Sequence, residues 1–475
     1  MDTTTLDPTP EVRAAARPFL YWAPLAVLMA GTFIFVLDFF IINVALPAIS
    51  TDLDAGDGAI EWIVAGYALT SAAGFITAGR LGDIYGRRRL FTIGVGIFVA
   101  ASALCALAVN PEMLVAARLA QGAGAAAMAP NILSLMGVLY TGAAQTRAIS
   151  IYGMVMGLAA VAGQIVGGLL IRADIAGLDW RAVFWINVPI GLVALVLAPR
   201  LMPESRAESG SGRLDVRGVG LITAALVALL LPLIEGRESG WPAWSWMCLA
   251  AAPILLTAFV FQQRRTAERR GDALLDPRIF VGPLRAGLAT QLMFWVQQAA
   301  GYTFLALYLQ QGRGMTPLGS GAVFAVLAAG YLLTSLRAPE LTIRYGRTII
   351  LIGASVAAMA DLLLAATVGH IEIGGSVGLL FPGLFLLGAG QGLCITPLTT
   401  TVLGQARPET AGAVSGALST IQQAGNAIGV AGIGVVFYAH ADRAPASAME
   451  WTAITMAGTL AVVAVLTRML PKVSR

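Results

Sequence analysis

Residues 79–91 read Gly-Arg-Leu-Gly-Asp-Ile-Tyr-Gly-Arg-Arg-Arg-Leu-Phe, and this segment lies between two long apolar runs. Gly79 and Gly86 permit tight turns or close helix approach because glycine has no Cβ. Asp83 and the arginines at 87–89 place both signs of charge where a helix would leave a membrane. The segment therefore predicts a short, charged connection between two membrane-spanning helices.

The composition is that of an integral membrane protein, since 57% of the 475 residues are hydrophobic and 12% are charged. A spanning helix needs about 20 mostly apolar residues, and breaks rich in arginine, proline or glycine divide the chain into fourteen such runs. The predicted spans are 20–45, 61–79, 90–109, 112–138, 148–171, 182–199, 217–235, 244–262, 284–309, 318–336, 348–368, 376–402, 411–438 and 450–470. For 217–262, one re-entrant hairpin is the alternative to two spans, because two prolines and a tryptophan blur the gap.

The distribution of charge predicts the orientation of these spans. Cytoplasmic loops of membrane proteins are enriched in lysine and arginine, and with the N-terminus inside, the inner loops collect most of the arginines while the outer loops hold mostly acids. Both termini are therefore expected in the cytoplasm, with residues 1–18 as a disordered tail. The net charge of +4 follows from this topology, so a nucleic-acid partner has no independent support.

Three local repeats predict an internal duplication. The segment 81–87 recurs at 341–347, 120–122 recurs at 390–392, and the glycine pattern of 163–167 recurs at 425–429, each about 260 to 270 residues apart. This offset fits two six-helix halves separated by an inserted pair of helices. The predicted units are a six-helix bundle at 19–200, an insertion with cytoplasmic linkers at 201–270, and a second six-helix bundle at 271–475.

Several segments resemble one family of transporters. The spacing Gly-x-Leu-x-Asp-x-x-Gly-Arg-Arg from Gly79 resembles the loop between the second and third helices of the major facilitator superfamily. Residues 37–47, 114–126 and 179–191 resemble the first-, fourth- and sixth-helix motifs of its fourteen-helix drug:proton antiporter branch (EmrB/QacA-like). The resemblance implies an all-α integral membrane protein with the major facilitator fold, two six-helix bundles plus two central helices. It also implies proton-coupled efflux of drugs, antibiotics or other amphipathic small molecules by alternating access.

The fifth predicted helix departs from the antiporter pattern. Gly163, Gly167 and Gly168 match the glycines of the family's Gly-Pro-x-x-Gly-Gly motif, but Gln164 stands in place of its proline. Glycines at this spacing let helices approach closely, whereas glutamine does not bend a helix as proline does. Either the bend arises in another way, or Gln164 contributes a polar group to the transport pathway.

Asp38, Arg118 and Asp361 are charged residues within predicted spans, where ionisable groups are costly and usually functional. A carboxylate in a dehydrated cavity favours its protonated form more than it does in water, so Asp38 is a candidate proton carrier; the alternative is a structural brace between helices. The resemblance implies a proton-coupling role for Arg118, and structural pairing with Asp38 or with a backbone oxygen is the alternative. Asp361 matches no motif and is the third candidate for proton coupling, through a position facing the cavity.

Asp83 and Arg87, together with Gly79 and Gly86, are the candidate gate. A carboxylate at a cytoplasmic helix end can interact with an arginine or with the positive N-terminus of a helix in the opposite half, and such contacts would hold one state of the transporter. The alternative is that the arginines only fix topology. Ile84 stands where the family often has an arginine, so one contact of that network is expected to be missing.

Four residues are candidates for substrate binding: Gln298 and Tyr302 on the ninth helix, and Gln422 and Asn426 on the thirteenth. Each pair is four residues apart and shares a helix face. Apolar walls with a few amides suit a bulky amphipathic molecule. The alternative for each residue is packing between helices.

Other chemistries find no support in the sequence. There is no phosphate-binding Gly-x-x-x-x-Gly-Lys-Ser/Thr loop and no catalytic or metal-binding set, so neither an enzyme nor a cofactor is predicted. The expected partners are a small-molecule substrate, protons and the lipid bilayer, for a functional monomer in a bacterial cytoplasmic membrane. A proton-linked symporter that imports a small solute is the alternative, and a membrane enzyme or sensor is the alternative of a different class.

Overall fold

In the computed structural model, the described residues are 18–206, 214–236, 239–269, 273–274, 283–404, 411–441 and 444–470, and their regular structure is helical throughout. The predicted tail at 1–18 lies outside them except for Pro18. The long helices are α1 Pro18–Leu53, α2 Asp57–Tyr85, α3 Arg87–Ala106, α4 Pro111–Leu139, α5 Gly142–Ala173, α6 Asn187–Leu201, α7 Val216–Glu235, α8 Ala243–Arg269, α9 Pro283–Leu307, α10 Pro317–Tyr345, α11 Arg347–Ile371, α12 Phe381–Leu403, α13 Ala411–Ala441 and α14 Pro445–Thr467. Short helical turns lie at Ile175–Gly177, Asp179–Arg181, Ala182–Trp185, Tyr308–Gly312 and Val377–Leu380.

Within the described residues, twelve helices are long and apolar enough to cross a membrane, or thirteen when the bent helix α5 counts as one span. Both α7 and α8 are among the twelve, which favours two spans over one re-entrant hairpin. Helix α9 is not among them, and it carries the amides Gln291, Gln297 and Gln298. The count of fourteen spans therefore stays a prediction.

The helices pack as two groups joined by contacts between them. Helices α1–α6 pack mainly on one another, and α9–α14 do the same. Helix α5 packs on α10, and α2 packs on α13, which joins the two groups. Helix α7 packs on α8 and also on both α2 and α13. Leu230 of α7 forms one buried apolar cluster with Leu69 and Ala72 of α2 and Ala424 of α13. The domain boundaries at 200 and 270 remain predictions.

The structure shows a repeat that the sequence analysis missed. Residues 66–71, Gly-Tyr-Ala-Leu-Thr-Ser, recur at 330–335 as Gly-Tyr-Leu-Leu-Thr-Ser. The two segments make the same packing contact. A Cβ on Gly122 would lie 2.6 Å from the backbone oxygen of Tyr67, and a Cβ on Gly392 would lie 2.6 Å from that of Tyr331. Both glycines therefore allow the same close helix crossing. This correspondence is independent support for an internal duplication.

Helix α5 bends by 43° between Gly142–Ala160 and Ile165–Ala173. The bend occurs without a proline, which agrees with the first alternative, and the polar role of Gln164 stays a prediction. Close packing accompanies it, since a Cβ on Gly163 would lie 2.9 Å from the Cβ of Phe40, and one on Gly167 would lie 2.8 Å from a side-chain carbon of Ile41. Gly168 instead faces Leu318 of α10. The side chain of Gln164 lies outside the described part of the chain.

Candidate functional site

A buried ion pair joins Asp38 of α1 to Arg118 of α4. Asp38 is 0% exposed and Arg118 is 1% exposed. Arg118 Nη1 donates a hydrogen bond to Asp38 Oδ2, with 2.5 Å between the two atoms. Two of the three charges singled out within the predicted spans thus meet in space, although they are 80 residues apart in sequence.

The guanidinium of Arg118 has both polar and aromatic neighbours. Its Nε donates to the backbone oxygen of Ile63 at 2.8 Å, and its Nη1 donates to Gln121 Oε1 at 2.7 Å. Its Cζ atom lies 4.4 Å from the ring centre of Tyr67 and 5.9 Å from that of Phe184. A cation over an aromatic face is stabilised most when it is desolvated, so these rings help to keep the charge inside the bundle.

Neutral polar residues complete the site. Asp38 Oδ1 accepts hydrogen bonds from Gln121 Nε2 and from Asn187 Nδ2, each at 2.8 Å. Ser102 Oγ accepts from Gln121 at 2.8 Å and from Asn187 at 3.4 Å. We refer to Asp38, Ser102, Arg118, Gln121 and Asn187 as the Asp38 network; its residues come from α1, α3, α4 and α6.

The hydrogen bonds of this network satisfy the ionised form of Asp38. Taking a buried charge out of water is costly, and a buried pair is favourable only when hydrogen bonds satisfy the remaining atoms. Here the ionised carboxylate has three donors, so the paired state is well satisfied. Protonation of Asp38 would cancel its charge and leave that of Arg118 without a counter-ion, which provides a physical reason for the helices to move.

Asp361 of α11 lies apart from the Asp38 network. It is 0% exposed, and both carboxylate oxygens lack a hydrogen-bond partner among the residues described. Its helix packs on α12 and α14 rather than on α1. Asp361 therefore takes no part in the Asp38 network.

The candidate gate lies at the junction of α2 and α3. Asp83 Oδ1 accepts from Arg87 Nε at 3.0 Å and from its Nη2 at 2.7 Å, and both side chains are buried. Gly86 has a φ of 114°, a value that side-chain-bearing residues rarely adopt. Gly79 is buried within α2. The predicted partner of Asp83 was an arginine or a helix of the opposite half, and the pair with Arg87 lies within the motif itself.

Glu204 is a partner of this motif that the sequence analysis did not find. Its two carboxylate oxygens accept from the backbone nitrogens of Arg88 and Arg89, at 3.1 and 3.2 Å. It therefore caps the N-terminus of α3, where a negative charge is stabilised. The Arg88 side chain in turn donates to the oxygens of Pro199 and Met202 at the end of α6.

The second half repeats this arrangement. Gly346, with a φ of 54°, connects α10 to α11 as Gly86 connects α2 to α3. Arg347 Nη1 donates to the oxygens of Arg468 and Leu470 at the end of α14, at 2.8 and 2.6 Å. In both halves, an arginine at the start of one helix therefore binds the last carbonyl groups of another.

The four substrate candidates lie on neighbouring helices. Gln298 and Tyr302 of α9 are buried, Gln422 of α13 is buried, and Asn426 of α13 is half-buried. Helices α9 and α13 pack closely, because a Cβ on Gly425 would lie 2.9 Å from the backbone oxygen of Leu292. The two pairs therefore lie on two helices that pack against each other.

Aromatic and polar contacts cross between the two groups of helices near these residues. The ring of Tyr302 stacks on Phe324 with centres 5.6 Å apart and lies 5.5 Å from the ring of Phe40 in α1. The Tyr331 hydroxyl of α10 donates to the backbone oxygen of Gly153 in α5. The contacts of Tyr302 with Phe40 and of Tyr331 with Gly153 join residues of different groups, which must separate if the two groups rock apart.

Asp52, at the end of α1, is bound by two residues that precede α6. Trp180 Nε1 donates to Asp52 Oδ2 at 3.0 Å, and Arg181 Nη1 donates to the same oxygen at 2.7 Å. These hydrogen bonds hold the pKa of the Asp52 carboxyl below its usual range, and the bond from Trp180 has a larger effect than the bond from Arg181. The Asp-Trp-Arg segment at 179–181 thereby fixes the entry into α6 to the end of α1.

The fold and this site define a multi-pass helical membrane protein of the transporter class, with a buried ion pair inside one of two packed groups of helices. The sequence profile of the Major Facilitator Superfamily matches residues 28–430, and the chain belongs to this family.

Known proteins resemble the chain over most of its length. It is 38% identical over 439 residues to a probable actinorhodin transporter of Streptomyces coelicolor, covering 91% of this chain and 75% of that protein. It is 33% identical over 467 residues to the cephamycin export protein CmcT of Amycolatopsis lactamdurans, covering 95% and 93%. The solved human organic anion transporter MFSD10 (TETRAN) shares its fold with a TM-score of 0.64 at 17% identity, over 97% of this chain and 100% of that one. The chain is thus a multi-pass bacterial membrane transporter.

Proposed function

We propose that the chain exports drugs, antibiotics or other amphipathic small molecules in exchange for protons, as a member of the fourteen-helix, EmrB/QacA-like branch of its family. The observation that carries the proposal is the fully buried pair of Asp38 and Arg118, because a carboxylate paired inside a membrane bundle is suited to carry a proton. The relatives named for actinorhodin transport and for cephamycin export support the direction and the substrate class.

Transport would proceed by alternating access. The bundles at 19–200 and 271–475 would rock about their shared interface, with the insertion at 201–270 beside it. A proton that reaches Asp38 from outside would weaken the hold of α1 on Arg118 and favour the other state. Moving one charge through the membrane potential is worth about 2.3 kcal/mol per 100 mV, so one or two protons per cycle supply enough energy for a substantial drug gradient.

The remaining candidates take supporting roles in this proposal. Asp83 and Arg87, hinged by Gly79 and Gly86, would hold the cytoplasmic side closed, and Glu204 would link them to the end of α6. Asp361, with both oxygens unpartnered among the residues that the structure covers, is a second candidate for proton binding. We further propose that the protein works as a monomer in the cytoplasmic membrane, with both termini in the cytoplasm.

Substrate would bind between the two groups of helices. Gln298, Tyr302, Gln422 and Asn426 offer amides and one aromatic ring on two adjoining helices, which is the chemistry that a bulky amphipathic compound requires. The stack of Tyr302 on Phe324 presents a flat apolar surface beside these amides.

Growth of overproducing cells on a panel of toxic compounds tests the function directly. Cells with the wild-type protein should tolerate at least one compound better and accumulate less of it. Cells with Asp38→Asn at equal membrane abundance should lose this tolerance, since an amide keeps the shape but carries no proton. Increased uptake of the compound in wild-type cells would instead favour import and overturn the proposal.

A further inference from the structure

Every contact that the structure describes at the Asp38 carboxylate comes from a hydrogen-bond donor. Arg118 Nη1 donates to Oδ2, and Gln121 Nε2 and Asn187 Nδ2 donate to Oδ1. A protonated carboxyl group has an O–H of its own, which needs an acceptor in a buried site. None of these three nitrogens can accept, so one donor must turn or leave when a proton binds.

Neither Arg118 nor Gln121 can turn without losing other bonds. A guanidinium has no acceptor atom in any orientation. Gln121 Oε1 accepts from Arg118 Nη1 at 2.7 Å, and its Nε2 also donates to Ser102 Oγ at 2.8 Å. A half-turn of this amide would place its N–H groups against the Arg118 hydrogens.

Asn187 is less constrained, since its other hydrogen bond among the described residues is the longer one to Ser102. Its Nδ2 donates to Asp38 Oδ1 at 2.8 Å and to Ser102 Oγ at the longer distance of 3.4 Å. Its Oδ1 is buried and has no hydrogen-bond partner among the described residues. A half-turn of the Asn187 amide therefore breaks no bond at Oδ1, and it brings that oxygen to face Asp38.

We propose that Asn187 is a positioning residue that follows the protonation state of Asp38: its amide donates to the ionised carboxylate and turns to accept from the neutral acid. The incoming proton forms an O–H bond at Asp38 Oδ1, and the N–H···O bond from Asn187 to Asp38 is replaced by one O–H···O bond. The longer bond from Asn187 to Ser102 Oγ is given up, and no covalent bond of the protein breaks. The inference rests on the proposed proton coupling at Asp38. The other titratable or charged groups that face the site, among the residues described, are Arg118 of α4, Tyr67 of α2 and Cys105 of α3.

Nuclear magnetic resonance of the asparagine side chains tests the turn directly, because the chain has five asparagines, at 43, 110, 131, 187 and 426. Protein labelled with ¹⁵N in the asparagine side-chain amides is titrated in detergent micelles, and Asn187→Leu assigns the signals of interest. We expect the Asn187 signals to move with the same pH midpoint as proton-driven transport, and to stay fixed in Asp38→Asn. Asn131 is the matched control, since it is also buried but donates to backbone oxygens. Stationary Asn187 signals across the pH range in which wild-type transport titrates would overturn the inference.

The pH profile of transport gives a second readout. Asn187→Leu removes both the donor and the acceptor, and because hydrogen bonds to a charged group are the stronger, the midpoint should rise by about one pH unit. Asn187→Ser keeps a group that can donate or accept, and it should restore a profile near that of the wild type. A wild-type profile in Asn187→Leu would overturn the inference. If Asp38→Asn keeps pH-driven transport, the proposed function itself fails, which is a different result.

Discussion

Replacing Arg118 by methionine tests how strongly the buried pair is coupled. The substitution removes the bonds to Ile63 O, Asp38 Oδ2 and Gln121 Oε1, at 2.8, 2.5 and 2.7 Å. It leaves Asp38, which is 0% exposed, without its cation. Removing one partner of a buried pair costs about 3 to 5 kcal/mol when the other charge stays buried and unpaired. We therefore expect Arg118→Met to lower the free energy of unfolding by an amount of this order and to abolish proton-driven transport.

A double-mutant cycle isolates the pair from the other bonds of Arg118. In protein that already carries Asp38→Asn, Arg118→Met leaves no buried carboxylate, so its cost should fall by about 1 to 3 kcal/mol. The assay is equilibrium unfolding of the four proteins in mild detergent, followed by tryptophan fluorescence. Costs that add to within about 0.5 kcal/mol would show no coupling and would refute the reasoning.

Substitutions at three further positions test other parts of the structure. Asp83→Asn should weaken the gate and change how readily cysteine probes on the two sides of the membrane are labelled; unchanged labelling would count against the gate. Gly86→Ala should lower the free energy of unfolding by about 1 to 3 kcal/mol more than the control Gly142→Ala. Both glycines have a positive φ, of 114° and 56°, but a Cβ on Gly86 would lie 2.6 Å from Glu204, whereas one on Gly142 would meet open space; equal costs would exclude the contact. Gln164→Pro and Gln164→Ala should both impair transport at normal expression, since an amide in a membrane helix is expected to find a partner; wild-type rates in both would remove that role.

The parts of the fold that the sequence predicted are those with a strong local signal. Apolar runs and their charged breaks located the helices, and Asp38 and Arg118 stood out because charge is rare in such runs. The same signal located helix α9, but its three buried glutamines lower its hydropathy, and it is not among the described helices that are apolar enough to span. The bend of α5 was one of two alternatives from the sequence, since a proline was the only sequence feature that we associated with a bend.

The missed site residues share one property, which is that their role depends on residues far away in sequence. Ser102, Gln121 and Asn187 are neutral polar residues of ordinary helices, and they form a site only where α1, α3, α4 and α6 meet. Glu204 lies in a polar linker and contacts Arg88 across 116 residues of sequence. Polar side chains inside apolar helices were the available signal for the first three, and no local feature marks Glu204.

Drug accumulation in proteoliposomes with an imposed pH gradient tests the central claim most directly. Vesicles with purified protein and an acidic interior are diluted into neutral buffer that contains a permanently charged compound to which overproducing cells are resistant, with protein-free vesicles as the control. Exchange for protons predicts that wild-type protein concentrates the compound inside as protons leave, and that Asp38→Asn does not. Equal accumulation by Asp38→Asn, or accumulation by the wild type only when protons flow inward, would contradict a proton-exchanging exporter that works through Asp38.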